Sequence, residues 1–260
     1  MAGGTGGIRR LLHGAAPGAR NMAVDEALMD AARRGRITLR FYRWDPPSVS
    51  LGRNEAARSR YDRAAARRRG IDFVRRPTGG RAVYHRRELT YAVAAPADAW
   101  GGLRESYRRV NRALLLGLES LGAAVEAASD GEGAPGLSGR ACFRDPLAGE
   151  IVADGRKLVG SAQWRNEGAL LQHGSLLLYD DQTVVEELRT PPGEGAGAAA
   201  ALSELLPELP DPGALAGALE EGFTTEFGLP VEEGELEPAE EERADALEPR
   251  FRADAWTWRR

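Results

Sequence analysis

This chain of 260 residues has one cysteine, three histidines and, among its 35 Lys+Arg positions, a single lysine. One cysteine excludes an intrachain disulfide, and no apolar run approaches the length of about 20 residues that a bilayer-crossing helix needs. The histidines and the cysteine stand too far apart for any familiar ligand spacing, so no metal is expected. Aromatics make up 7% of the chain, and they are not interleaved with its arginine-rich segments, which carry no nucleic-acid-binding motif. Neither nucleic acid nor a membrane is an expected partner.

The scarcity of lysine is the most informative absence. Thirty-four arginines supply generic positive charge, so the one position that keeps an ammonium, Lys157, stands out. A guanidinium is planar and forked and cannot replace a compact three-donor group that must sit against a reacting atom. Cys142 precedes it by 15 positions in a polar, glycine-rich segment. Taken singly, a lone cysteine reads as a small buried hydrophobe and a lone lysine as a solvated turn residue. Taken together in residues 141–175, they read as a thiol and an amine brought to one place.

Around them the sequence predicts a hairpin. Glu150-Ile151-Val152-Ala153 is followed by Asp154-Gly155, a pair suited to the two positive φ values of a type I′ turn, and then by an extended run over 156–165. A two-residue loop sets Ala153 opposite Arg156 and Val152 opposite Lys157. Strand alternation then puts Lys157, Val159, Ser161 and Gln163 on one face and Leu158, Gly160, Ala162 and Trp164 on the other. The run 169–179 is apolar except for Gln172-His173-Gly174-Ser175, whose polar groups need partners or a cleft. Residues 129–140, rich in glycine, are expected to be a mobile loop that delivers Cys142.

What is abundant fits a globular protein. At 28.0 kDa and 42% hydrophobic residues, the chain can bury one good core. A loose segment is expected over 1–20, a single catalytic domain over 21–260, with helices from about 181, and the cytoplasm as the compartment. The net charge of −4 conceals a division: residues 1–112 hold 24 arginines and 10 acids, residues 113–260 hold 11 basic and 29 acidic residues. A basic half can steer an acidic partner, or its arginines can simply be solvated.

Helices are predicted over 22–34 with Asn21 as cap, 55–69, 103–121, 183–188, 199–206, 214–227 and 238–251, and a flexible link over 192–197. Strands are predicted over 37–44, with 48–51 returning beside it after Asp45-Pro46-Pro47, and over 71–75, 83–84 and 89–94. Gly79-Gly80, in the loop 76–81, allows backbone to approach a ligand closely.

Three stretches carry a family resemblance: Asn21 through Leu28; Arg75-Arg76-Pro77-Thr78-Gly79-Gly80-Arg81-Ala82-Val83 with His85 and Glu88-Leu89-Thr90-Tyr91; and Gly155-Arg156-Lys157 through Gly160-Ser161-Ala162-Gln163 to Leu171-Gln172-His173-Gly174-Ser175. In this order they resemble the lipoate and biotin protein ligase superfamily over roughly residues 20–230, and the cysteine ahead of Gly-Arg-Lys is similar to that of the cysteine-dependent octanoyltransferases. The resemblance implies an α+β fold with a mixed, largely antiparallel central sheet flanked by helices. It implies an acyl thioester on Cys142 activated by Lys157, with Arg76, Gly79, Gly80, Arg81, Ala82, Val83, His85, Ser161, Ala162, Gln163, His173 and Gly174 around the acyl group. It further implies octanoyl-acyl carrier protein as donor, lipoyl-domain proteins such as the glycine cleavage H protein or a 2-oxoacid dehydrogenase E2 as acceptors, and no cofactor. Transfer between two lipoyl domains, an ATP- and Mg-dependent lipoate ligase, and a non-catalytic carrier-protein binder are the alternatives. Arg81, where the ligases continue a glycine triplet, and the lack of a clear C-terminal accessory domain favour the transferase. His85 and His173 are either general bases or buried structural histidines.

Overall fold

The computed structural model describes residues 6–129, 143, 148–192 and 198–260. In chain order the elements are β1 (Ile8–Ala16), α1 (Gly18–Ala32), β2 (Thr38–Trp44), β3 (Ser48–Leu51), α2 (Arg63–Arg68), β4 (Asp72–Arg75), β5 (Val83–His85), β6 (Glu88–Pro96), α3 (Leu103–Ser120) and β7 (Glu126–Ala127). There follow β8 (Ile151–Ala153), β9 (Arg156–Asn166), β10 (Ala169–Leu177), α4 (Thr183–Glu187), α5 (Leu202–Leu205), α6 (Pro212–Phe227), β11 (Val231–Glu233), α7 (Pro238–Arg252) and α8 (Asp254–Thr257). No helix among the described residues is long and apolar enough to cross a membrane.

The fold is α+β, as expected. A large sheet runs β11-β1-β2-β6-β10-β9-β8-β7 and a small one β4-β3-β5. In the large sheet β1 pairs in parallel with β2 and β11, and the other pairings are antiparallel. The alternation of side chains decides what covers each face. Leu39, Phe41, Tyr91, Val93 and Leu170 meet Val110, Leu114 and Leu118 of α3 and Leu215, Leu219 and Phe223 of α6 in one core. The intervening Tyr42, Trp44, Ala92, Ala94 and Leu171 meet Met22, Val24, Leu28 and Met29 of α1 and Ala244, Leu247 and Phe251 of α7 in another. Each fully buried Leu or Phe contributes roughly 1.5–3 kcal/mol. A third core, with Val49, Leu51, Ala57, Tyr84 and Leu188, lies under the small sheet.

Several expectations need correction. Residues 8–16 are not a loose terminus but strand β1, inside the large sheet. Their Gly and Arg content hides the pattern, because Arg9 is 8% exposed and donates to both oxygens of Glu240, a partner 231 positions away. Helix α1 starts at Gly18 behind Pro17, so Asn21 lies within it and its amide instead donates to the Ala16 and Arg43 carbonyls. Strand β3 does not return beside β2 but pairs with β4 and β5 in the small sheet. The helix predicted over 55–69 shortens to α2, capped by Asp62, and that over 199–206 to α5, ahead of which Ala199 to Ala201 are buried but not helical. The helix over 103–121 and those of α4, α6 and α7 are found where the apolar spacing put them. Nearly all of the predicted mobile loop, over 130–140, and most of the predicted link, over 193–197, lie outside the described residues.

Candidate active site

The hairpin forms as predicted at its turn: Asp154 and Gly155 have φ of 48° and 70°, Ala153 faces Arg156, and Val152 faces Lys157. Beyond it the register slips, because Ile151 pairs with Val159. Such a bulge re-aims side chains, and the simple alternation predicted from Lys157 through Gln163 is broken here. The Lys157 side chain is 1% exposed, its Nζ donates to Glu150 Oε1 at 2.7 Å, and Nζ lies 5.3 Å from the centre of the Phe143 ring. Phe143 rests on Gly160, where a Cβ would come within 2.7 Å of the ring. Among the described residues it forms a buried apolar cluster with Val83, Leu177 and Ala199.

Next to this contact a pocket of about 360 Å³, counting its mouth, lies between the two sheets. The large sheet contributes Tyr42 and Trp44 of β2, Thr90 of β6, Gly160, Ser161 and Ala162 of β9, and His173, Gly174 and Ser175 of β10. Met22 comes from α1, Ser50, Val83 and His85 from the small sheet, and Arg76 from the loop joining its strands β4 and β5. Of the residues implied by the resemblance, Arg76, Val83, His85, Ser161, Ala162, His173 and Gly174 therefore meet in one place.

Gly79, Gly80, Arg81, Ala82, Gln163 and Lys157 are not on that lining. Gly79 and Gly80 support it: Arg76 donates to the carbonyls of Gly79 (2.8 Å), Arg81 (2.7 Å) and Ser50 (2.9 Å), which folds the loop onto the strand. Gly80, at φ 89°, lies so close to Gly52 that a Cβ on Gly52 would come 1.9 Å from its carbonyl oxygen. Ala82 packs in the core of the small sheet. Gln163 points to the α3 side, where its amide donates to Ser106 Oγ and Gln172 Oε1, both at 3.1 Å. Cys142 lies outside the described residues. Its chain neighbour Phe143 is the described residue that bears on it.

Both histidines are buried with both ring nitrogens engaged. His173 Nδ1 is 2.9 Å from Asp25 Oδ2 and its Nε2 2.6 Å from Thr78 Oγ1. His85 Nε2 is 2.7 Å from Ser50 Oγ, its Nδ1 3.2 Å from Ser175 Oγ and 3.3 Å from Glu88, and its ring stacks on Trp44 at 3.9 Å. Burial pushes His85 below its ordinary value and so toward a neutral ring, against the opposite pull of Glu88. In this arrangement the two rings form wall and frame.

Sequence reasoning missed the frame itself. Asp25 is completely buried and accepts from Arg40 Nη1 (2.6 Å), Tyr42 Oη (2.7 Å) and His173. Burial raises its carboxyl, but the hydrogen bond from His173 and the charge of Arg40 outweigh it and hold Asp25 below the usual carboxylate range. On the opposite face Asn111, Tyr91, Ser161 and Gln172 bond to one another. The polar residues in otherwise apolar strands were the available signal. Their partners on α1 and α3 could not be paired from spacing alone. Among the described residues no three His, Cys, Asp or Glu side chains converge on a metal site.

Comparison with known proteins places this architecture. Residues 17–223 match the family model of the lipoyl protein ligase A/B catalytic domain. An octanoyltransferase LipM from Kyrpidia tusciae is 42% identical over 96% of this chain and 98% of its own length, and one from Symbiobacterium thermophilum is 38% identical over 97% and 98%. A lipoate-protein ligase A solved with ATP superposes with a TM-score of 0.81 at 24% identity, covering 97% of this chain and 98% of the other. A putative lipoate protein ligase from T. acidophilum with bound lipoic acid gives 0.80 at 23%, covering 97% and 99%. The structural likeness fixes the fold, the sequence relatives fix the branch, and so the chain belongs to the lipoyl protein ligase A/B catalytic-domain family, within which it is an octanoyltransferase.

Proposed function

We propose that the enzyme takes an octanoyl group from octanoyl-acyl carrier protein onto Cys142 as a thioester and passes it to a lysine of a lipoyl-domain protein, in the cytoplasm and without ATP. The observation that carries this reading is the burial of the only lysine beside Phe143, the residue that follows the only cysteine.

In the first half-reaction the Cys142 sulfur attacks the donor's thioester carbonyl. A new C–S bond forms, the donor's C–S bond breaks, and the departing carrier thiolate takes up the proton that Cys142 gave away. In the second, the acceptor amine attacks the enzyme thioester, a C–N bond forms, the C–S bond to Cys142 breaks, and the released Cys142 thiolate takes up the proton lost by nitrogen. The first step exchanges like for like and the second converts a thioester to an amide, so neither needs an activated nucleotide. An ordinary thiol of pKa about 8.5 is only a few per cent thiolate at pH 7. The Lys157 ammonium would favour the thiolate, and a drop of two units corresponds to about 2.7 kcal/mol. The same charge, or backbone N–H groups, would stabilise the oxyanion of both steps. The pocket walls from Met22, Trp44, Val83 and Ala162 offer the tail an apolar lining, where each buried methylene contributes about 0.8 kcal/mol. Chain-length preference is then graded.

The test presents octanoyl carrier protein, an octanoylated lipoyl domain, or octanoate with ATP, each with an apo lipoyl domain as acceptor. An octanoyl adduct on wild type from the carrier protein, lost in Cys142→Ala, supports the reading. The same adduct yield in Cys142→Ala, or pyrophosphate release with modification only from octanoate and ATP, ends it. Modification only from the octanoylated lipoyl domain replaces the carrier donor with transfer between lipoyl domains.

A further inference from the structure

We infer that Glu150 is a positioning residue for acyl transfer, with Tyr107 as its support. The inference rests on the role proposed for Cys142 and Lys157 and assigns the group that aims the amine. The side chain of Glu150, the residue just before β8, meets that of Lys157 on β9, each 1% exposed, with Nζ 2.7 Å from Oε1. Burial disfavours an ammonium, and an adjacent carboxylate restores it. The pair thus sets a carboxylate oxygen directly against the amine in a place closed to water.

The carboxylate is itself held from several directions. Tyr107 Oη donates to the same Oε1 at 3.3 Å and lies 3.5 Å from the Ser161 carbonyl oxygen, which ties the carboxylate to the strand that lines the pocket. Asn111, one helical turn further along α3, donates from Nδ2 to the Gly149 carbonyl at 2.8 Å. The backbone is strapped to Ala128, just past β7, as well: Ala128 N–H donates to the Glu150 carbonyl at 2.7 Å and Gly149 N–H to that of Ala128 at 2.9 Å. Residues 149–150 are therefore fixed before any substrate arrives. A long, flexible lysine stem needs such a fixed acceptor if its Nζ is to meet a carbonyl oxygen or a thiolate at one spot. Glu150 does not touch the acyl group. It acts through Lys157.

The experiment follows octanoyl-adduct formation on Cys142 by intact mass, from a carrier-protein thioester, in wild type, Glu150→Gln, Glu150→Asp, Tyr107→Phe, Lys157→Ala and the Glu150→Gln/Lys157→Ala pair. Gln keeps an oxygen acceptor without the charge. Glu150→Gln is expected to slow adduct formation by about 100-fold with the donor KM within about twofold of wild type, since misplacing a reacting group costs rate more than binding. Glu150→Asp should recover part of the loss, and the double variant should be no slower than Lys157→Ala alone, as two residues acting as a unit require. Should Glu150→Gln fail to fold, Tyr107→Phe decides, with slowing of about tenfold expected at unchanged KM. Wild-type rates in Glu150→Gln, or in Tyr107→Phe where that variant decides, overturn the inference, as does a double variant in which the two losses multiply. If wild type forms no adduct, the Cys142 reading falls and this one with it; an adduct at the same rate in wild type and Glu150→Gln removes only this one.

Discussion

Asp25 and Glu150 are both carboxylates sealed from water, yet their surroundings differ in kind. Asp25 accepts from the forked guanidinium of Arg40, the phenol of Tyr42 and the ring of His173, and Arg40 itself donates to the Asn21 carbonyl and side-chain oxygens. Every member of that set is short or planar and has little room to turn. Glu150 meets an ammonium at the end of a four-carbon stem, whose donors rotate. The first arrangement suits a frame that sets His173 and, through Thr78, the loop beside the pocket. The second suits a group that must adjust as charge moves during a reaction. A buried charge pair is therefore no sign of function by itself; the chemistry of the cation decides.

The contrast can be broken most directly at the frame. Asp25→Ala leaves Arg40 buried without its carboxylate and is expected to cost about 3–5 kcal/mol of folding stability. Urea unfolding measures it, and a loss under 1 kcal/mol would show that Asp25 is not a clamp. Next in size is Lys157→Arg, which keeps the charge but replaces a point donor with a fork. Transfer is expected to fall by about 100-fold, or 2.7 kcal/mol of barrier, with a smaller stability change than that of Asp25→Ala. Transfer assays paired with melts read both, and near-normal activity would mean that any cation serves at this position.

Where the two regions meet, Gly174 lies against the Tyr91 ring and Ser161; an added Cβ would stand 2.5 Å from the Gly160 carbonyl oxygen and 2.8 Å from the ring. Gly174→Ala is expected to cost about 1–3 kcal/mol by overpacking and to raise KM for the acyl donor as the pocket wall shifts. The smallest effect sharpens the frame's dependence on pH. Arg40 Nε donates to His13 Nδ1 at 2.9 Å, and burial together with the Arg40 charge brings His13 down to about 4. Unfolded histidine takes its proton near 6.5 and folded His13 only near 4, so stability falls as pH drops through that window. His85, lowered by burial, adds in the same direction, whereas the depressed Asp25 carboxyl is protonated only at still lower pH. His13→Gln should flatten the fall in melting temperature between pH 7 and pH 5, and an unchanged slope would assign it elsewhere.

How much of this was legible depended on the range of the interactions. The Asp154-Gly155 turn, the α3 stripe and the pairing of Val152 with Lys157 rest on neighbours a few residues apart, and the sequence showed them plainly. The slip at Ile151 and Val159 did not show, because a bulge is set by what packs on both faces and not by the strand's own period. Strand β1 was hidden since Arg9 and Arg10 read as solvent-facing until Glu240 and Glu220 are brought to them. The motif from Asn21 to Leu28 was visible as a family mark, but its role as the frame beneath His173 emerged only from β2 and β10. Polar residues in apolar strands announced that partners existed, and helices remote in the chain supplied them.

Strand β11, at one edge of the large sheet, covers Ile8 to Arg10 of β1 with residues 231–233, more than two hundred positions later in the chain. Until those residues have been synthesised, β1 presents a row of open hydrogen-bonding groups, and Arg9 has not met Glu240. An exposed edge of this kind is a template for unwanted pairing between chains. A ribosome therefore releases this enzyme's first strand long before it can be sheltered, and fragments ending before residue 231 should be the ones that clump.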